Sequence, residues 1–203
     1  PEILPVFPQE VYEAGILELQ DVIAPSALEI NSSHIKLGEK IARALFVFSY
    51  PRFLAINWFS PIINLDKVFD VSIFIHPVDT ASTLRQLQKK VAEVQSQIHI
   101  REEKGLVRDP MLDTAYQDLE TLRDKLQQAQ EKLFSCGLYI TVYADSIEEL
   151  NKTETEIRSI LEAKLVYAKP ALFQQAAGLE SAFPLGTDSL DINVKMNSSP
   201  VSS

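Results

Sequence analysis

Val68-Phe69-Asp70-Val71-Ser72-Ile73-Phe74-Ile75-His76-Pro77 is the stretch that decides the fold, together with the change of period just after it. Strict alternation across residues 68–76 puts Phe69, Val71, Ile73 and Ile75 on one face of a strand and Asp70, Ser72, Phe74 and His76 on the other. Pro77 ends the strand. Leu84, Leu87, Val91, Val94 and Ile98 then recur at spacings of 3, 4, 3 and 4, the signature of a helix with one apolar stripe. Thr80 or Ser82 is placed to cap its start. Gly105 and Pro110 interrupt the pattern, and Leu112, Ala115, Leu119, Leu122, Leu126, Ala129 and Leu133 resume it. Two such helices joined by a short break are expected to fold back as an antiparallel coiled-coil hairpin over about residues 80–134.

On the amino-terminal side, Ile41 to Tyr50 reads as a strand ended by Pro51, and Asn57 to Asn64 as a short helix limited by Pro61. A short strand pair is expected within residues 28–37, turning at Asn31-Ser32-Ser33. Residues 1–26, with Pro1, Pro5, Pro8 and Pro25, read as an irregular lead-in. On the carboxyl-terminal side, Gly137 follows the second helix and Leu138 to Ala144 reads as a strand. A helix capped by Asp145 or Ser146 then runs to about Ala163, burying Ile147, Leu150, Ile157, Ile160 and Leu161. Lys164 to Tyr167 reads as a short strand, Ala171 to Ala177 as one or two helical turns, and 186–203 as a polar linker.

With the helical insertion set aside, the order is β-α-β-β-α-β. The expected fold is therefore α+β: a ferredoxin-like (split βαβ) antiparallel sheet with two helices on one face, spanning residues 27–185.

Composition narrows the function classes. The chain has 203 residues, of which 46% are hydrophobic and 23% charged, a balance suited to a folded core. A net charge of -9 repels a polyanion, so no direct nucleic-acid contact is expected. Arg43, Pro51, Arg52, Asn57 and Pro61 interrupt the apolar stretch 42–63, so no transmembrane segment is expected. The single cysteine, Cys136, fits a reducing compartment and excludes an internal disulfide. The first residue is proline rather than methionine, and the chain is expected to be a processed product or a piece of a longer one.

Chemical motifs are sparse. None of the six glycines forms a phosphate-binding loop or a dinucleotide fingerprint. His34, His76 and His99 lack metal-ligand spacing and read as polar surface residues, while Cys136 reads as a partly buried thiol. Acidic pairs such as Glu102-Glu103, Glu148-Glu149 and Asp188 with Asp191 read as solvated charge. No catalytic, cofactor-binding or metal-binding residue is assigned.

The sheet face away from the two helices is expected to gather aromatics: Phe46, Phe48 and Tyr50, then Phe74 and His76, then Tyr139 and Tyr143 with Thr141. Phe46, Phe48, Phe74, Tyr139 and Tyr143 are the interface candidates. In RNA-binding domains of similar topology such rings stack on bases. The basic surround is missing here, so cover by another part of the same protein or by a partner is the favoured reading. The helical hairpin carries Arg85, Lys89, Lys90, Arg101 and Lys104 on its first arm, and Asp118, Glu120, Asp124 and Glu131 on its second. A projecting arm of mixed charge is suited to docking a neighbouring subunit.

Several short runs carry a family resemblance. Val11-Tyr12-Glu13-Ala14-Gly15 precedes Asp21-Val22-Ile23-Ala24-Pro25. Phe48-Ser49-Tyr50-Pro51-Arg52 precedes Asp70 to Pro77. Arg101-Glu102-Glu103-Lys104-Gly105 and Asp109-Pro110-Met111 follow, then Gly137 to Tyr143 and Pro184-Leu185-Gly186. In order and spacing, over nearly the whole chain, they resemble the amino-terminal domain of the conjugative-transfer ATPases of type IV secretion systems, the VirB/Tra group. The resemblance implies a parent chain in which this domain precedes a RecA-like ATPase domain, with ATP and Mg2+ held only there. It implies self-association, contact with other secretion-apparatus subunits and the inner-membrane complex, and a cytoplasmic position peripheral to the inner membrane. The parent would power pilus biogenesis and transfer of DNA or protein.

Overall fold

Alternating and continuous apolar runs dictate a sheet here, and the computed structural model, which describes residues 27–51 and 54–198, contains one. Its strands are β1 (Leu28–Ile30), β2 (Ile35–Leu37), β3 (Lys40–Ser49), β4 (Phe69–Pro77), β5 (Leu133–Ala144), β6 (Tyr167–Pro170) and β7 (Val194–Asn197). The helices are α1 (Ser60–Ile63), α2 (Thr80–Glu103), α3 (Pro110–Gln127), α4 (Ile147–Glu162) and α5 (Gln175–Ala182). The protein is thus mixed α and β, with seven antiparallel strands and five helices among the described residues. The lead-in 1–26 lies outside them.

β3 and β5 are the centre. Their mutual register runs from Ile41 opposite Ala144 to Phe46 opposite Tyr139. Main-path order is β1-β2-β3-β5-β4, with β6 on β3 and β7 on β5. One edge of β3 is therefore divided: β2 pairs with residues 40–42 and β6 with residues 45–49. A register shift between Val47 and Ser49 turns Tyr50 off the face expected for it and into the main core. That core joins Leu45, Val47, Leu138, Ile140 and Val142 of the sheet to Leu150, Ile157 and Leu161 of α4 and Ile62 of α1. The α4 spacing is helical, and its Ser146 hydroxyl accepts the Glu149 N–H at 3.1 Å, which satisfies one of the orphan donors at the helix start. Ile147, expected inside, is 39% exposed because it precedes the buried stripe.

α2 and α3 occupy the connection between β4 and β5 and pack against each other through half-buried residues of the expected apolar stripes. Asp79, not Thr80 or Ser82, caps α2: its carboxylate accepts the N–H groups of Ala81 and Ser82. α3 ends at Gln127, short of the expected Leu133. Ala129 takes φ 55°, and its N–H and that of Gln130 turn back to the carbonyls of Leu126 and Lys125, closing the helix. Leu133 is consequently the first residue of β5, opposite Asn197, and Gly137 lies inside that strand.

Three further boundaries differ from expectation. Leu165, at φ 58°, ends the α4 segment, so the next strand is Tyr167–Pro170 rather than 164–167. The helix expected at 171–177 is α5, Gln175–Ala182. Residues 186–198, read as linker, belong to the fold, because β7 pairs with β5 from Cys136 opposite Val194 to Leu133 opposite Asn197.

Candidate functional site

The aromatic face of the sheet is where sequence placed its interface candidates, and the chain covers the middle of it with its own residues 171–192. Ala44, Tyr139, Ala171 and Leu190 form a second buried cluster there, joined by Phe46, Phe74, Ala177 and Ile192. Tyr139 is only 1% exposed, so it is a core residue and not a surface contact. Phe46 and Phe74 are half-buried beneath the same cover, with the Phe74 and Tyr139 rings 5.7 Å apart.

Two side chains fasten this cover. The Tyr139 hydroxyl donates to Asp188 Oδ1 at 2.7 Å and accepts the Ile192 N–H at 3.1 Å. Asp188 also accepts the Asp191 N–H at 2.9 Å and the Asn193 amide at 3.1 Å. Burial, with the Asp188 carboxylate beside it, pushes the Tyr139 phenol far above its ordinary value, so it stays a donor. Asp188, read as solvated charge, is thus the anchor of residues 188–193. Gly137 makes room for the phenol: a Cβ there would lie 2.7 Å from the Tyr139 oxygen.

Gln175, 1% exposed, is the second fastener. It faces the part of β3 that neither β2 nor β6 reaches. Its Oε1 accepts the Ala44 N–H at 2.8 Å, and its Nε2 donates to the carbonyls of Ala44 at 3.3 Å and Ala171 at 3.0 Å. A side-chain amide thereby takes the place of a strand partner in a buried gap. α5 comes so close that a Cβ on Gly178 would sit 2.3 Å from Ala44 Cβ.

The remaining two candidates lie outside the cover. Phe48, 38% exposed, carries Lys169 Nζ 4.4 Å above its ring and Tyr167 beside it at 6.4 Å. Tyr143 is half-buried and donates to Asp70 Oδ2 at 2.7 Å. The structure therefore does not bring the five rings together as one open surface.

The opposite face holds what sequence reasoning missed. α4 and α1 cover its centre but stop short of β4. Val71, Ile73 and Ile75 remain 36%, 62% and 48% exposed. Beside them runs a groove of about 220 Å3 lined by Tyr50, Leu54, Trp58, Phe59, Ile75 and Met196. The signal was present in the apolar alternation of β4; what was not legible is that the helices leave this strand bare. At the connected ends of α2 and α3, Ile100, Leu106, Val107 and Met111 are likewise exposed.

Groups with chemical potential are individually accounted for. His34 sits in the β1–β2 turn within hydrogen-bond distance of Asn31 and Ser33, His76 stacks on Phe74, and His99 lies 3.4 Å from Glu103 on α2. Burial pushes the Cys136 thiol up, away from the reactive thiolate. Among the described residues no group of three histidine, cysteine or acidic side chains is placed to hold a metal, and no helix is long and apolar enough to cross a membrane. No protein-family model matches the chain, and no curated protein matches it.

Proposed function

We propose that this chain is a non-catalytic assembly domain of a type IV secretion ATPase, acting on the cytoplasmic side at the inner membrane. The observation that carries the reading is where apolar surface is left bare. It lies on a long edge strand and at the end of a projecting helical pair, both shaped to meet other protein. The resemblance of the sequence to the amino-terminal domain of the conjugative-transfer ATPases supplies the parent. In that parent ATP and Mg2+ belong to a separate RecA-like domain.

The strand order supports the ferredoxin-like part of the proposal. Read as β6-β3-β5-β4, four strands follow the split βαβ arrangement, with α1 and α4 in its two helical connections. The alternating spacing of three and four in α2 and α3 supports an inserted antiparallel coiled coil. The competing reading, a nucleic-acid surface on the aromatic face, loses support because Tyr139 is buried.

Equilibrium binding of a fluorescent ATP analogue with Mg2+ tests the proposal. The isolated 203-residue chain is expected to bind none and to hydrolyse none, and to associate with itself or with inner-membrane components of a secretion apparatus. Saturable ATP binding by this chain would overturn it.

A further inference from the structure

β4 is a free edge. It pairs with β5 along its whole length, and its outer side has no strand partner among the described residues. The Val78 N–H and the Val68 carbonyl bond to β5, so the alternate residues Phe69, Val71, Ile73, Ile75 and Pro77 turn their backbone groups outward as a template for another strand, Pro77 alone lacking its donor. Natural edges of this length are normally blunted by lysines, bulges or cover. β4 carries no lysine and no bulge, nothing among the described residues pairs with its outer side, and it presents Val71, Ile73 and Ile75 on one face.

The sequence of this edge is complementary to itself. In antiparallel pairing of two copies about Ile73, Ile73 faces its own counterpart and Val71 faces Ile75, so one face is wholly apolar. On the other face Ser72 meets Phe74, and Asp70 meets His76 twice, once on each side of the two-fold axis. Asp70 already accepts the Tyr143 hydroxyl at 2.7 Å, which leaves its second oxygen for an imidazole. Moving the centre to Ser72 or Phe74 sets Asp70 opposite Phe74 or Val78 and loses both Asp70–His76 contacts. Directly opposed residues in antiparallel strands have side chains in contact, so this register is distinguished by its two Asp70–His76 contacts, the apolar face being common to all three.

We infer that β4 joins edge to edge with β4 of a second copy of this chain, in antiparallel register about Ile73, making one continuous sheet across a two-fold axis. Such an interface is closed and isologous. The groove beside Ile75 lies next to the new seam and extends the apolar contact. This deepens the assembly reading by naming the surface, and rests on that reading only for its biological setting.

Cysteine crosslinking of the full chain tests it, with sedimentation velocity over a hundredfold concentration range. In this register the two Ile73 Cα atoms lie about 4.5–5.5 Å apart, within disulfide reach. The two Val68 Cα atoms lie about 33 Å apart. Ile73→Cys is expected to form a covalent dimer under mild oxidation, while Val68→Cys and the wild-type chain with its buried Cys136 do not. Ile73→Lys, at an exposed position, is expected to weaken dimerisation at least tenfold with an unchanged circular dichroism spectrum. A chain that self-associates without an Ile73→Cys crosslink overturns the β4 assignment and leaves the assembly reading standing. A chain that stays monomeric throughout overturns the β4 assignment and removes self-association from the assembly reading. If Ile73→Cys in such a monomer is also inert to maleimide, the edge is covered by the chain's own residues. Equal crosslinking at Val68 and Ile73 overturns the register.

Discussion

The Tyr139 hydroxyl and the Asp188 carboxylate, 49 positions apart in sequence, meet at 2.7 Å across the sheet face. Tyr139→Phe removes the donor and also strands the Ile192 N–H that the phenol accepts. A hydrogen bond to a charged group contributes about 1.5–3 kcal/mol, and an equal loss in urea denaturation is expected. The loss is expected to be local first. Amide exchange should accelerate in residues 186–198 while α4, held by the other core, keeps its protection.

Gln175 poses the same question at the edge of β3. Gln175→Leu fills similar volume but leaves the Ala44 N–H, which Gln175 Oε1 accepts at 2.8 Å, without its acceptor. The Ala44 carbonyl keeps the Ala171 N–H at 2.9 Å, so the donor is the group that suffers. A buried unsatisfied donor costs about 1–3 kcal/mol, and thermal unfolding of the variant should show a loss in that range.

These two fasteners explain what the sequence conveyed and what it withheld. β4, α2 and α4 were legible because each repeats one period long enough to be read: two for the strand, three and four for the helices. Residues 171–198 were not, because their hold on the sheet is made by single polar side chains reaching distant partners. Leu190 and Ile192 are too few to show a period, and β7 has only four residues. Strand alternation gives Tyr139 its face, and cover of that face by the same protein or a partner is the favoured reading; what the alternation could not show is that residues 171–192 are the cover. The bare face of β4 was hidden for the opposite reason, since apolar alternation looks the same whether or not a helix covers it.

Helix ends offer a stability test that leaves the β4 edge untouched. Gly105, Ala129 and Leu165 end α2, α3 and the α4 segment at φ 63°, 55° and 58°. Only the first is a residue that adopts this region without steric cost. The left-handed conformation costs a residue with a Cβ about 1–2 kcal/mol, part of which glycine returns as unfolded-state entropy. Ala129→Gly is therefore expected to raise stability by about 0.5–1 kcal/mol and Gly105→Ala to lower it by about 1 kcal/mol. Nothing lies within 4 Å of a Cβ at Gly105, so its loss would be conformational rather than steric. Chemical denaturation of the pair of variants checks both signs.

Two helix starts make the fold sensitive to acid. Hydrogen bonds from the backbone N–H groups of Ser82 and Ala81 hold the Asp79 carboxyl below its ordinary range. A hydrogen bond from Lys67, then one from the Asp145 N–H, does the same for Glu149. Both folded values are depressed, so their contribution is complete above the unfolded value of about 4 and is lost as pH falls through the folded one. Melting temperature is therefore expected to fall below about pH 4 in part through these groups. Asp79→Asn with Glu149→Gln should flatten that part of the profile while leaving helix content at pH 7 unchanged.

Arg43 is the one buried charged residue among the described residues, and its energetics separate pairing from packing. It is 7% exposed, with Nη1 2.5 Å from Glu154 and 2.8 Å from Asn151 on α4, while Nε donates to the Ser33 carbonyl at 2.8 Å. It thus ties the β1–β2 turn, the central strand and α4 at one point. Glu154→Ala leaves the guanidinium buried with no countercharge at that contact, a loss expected to reach about 3–5 kcal/mol. Replacing both partners by apolar residues removes the desolvation cost along with the attraction. Arg43→Met with Glu154→Leu is therefore expected to be more stable than Glu154→Ala alone. The double variant still lacks the donor to Ser33, so it should recover the packing of α4 before the order of the turn. Urea melts of the two variants, with amide exchange at residues 31–35, distinguish these effects. A double variant no more stable than the single one would show that attraction, not desolvation, dominates at this site.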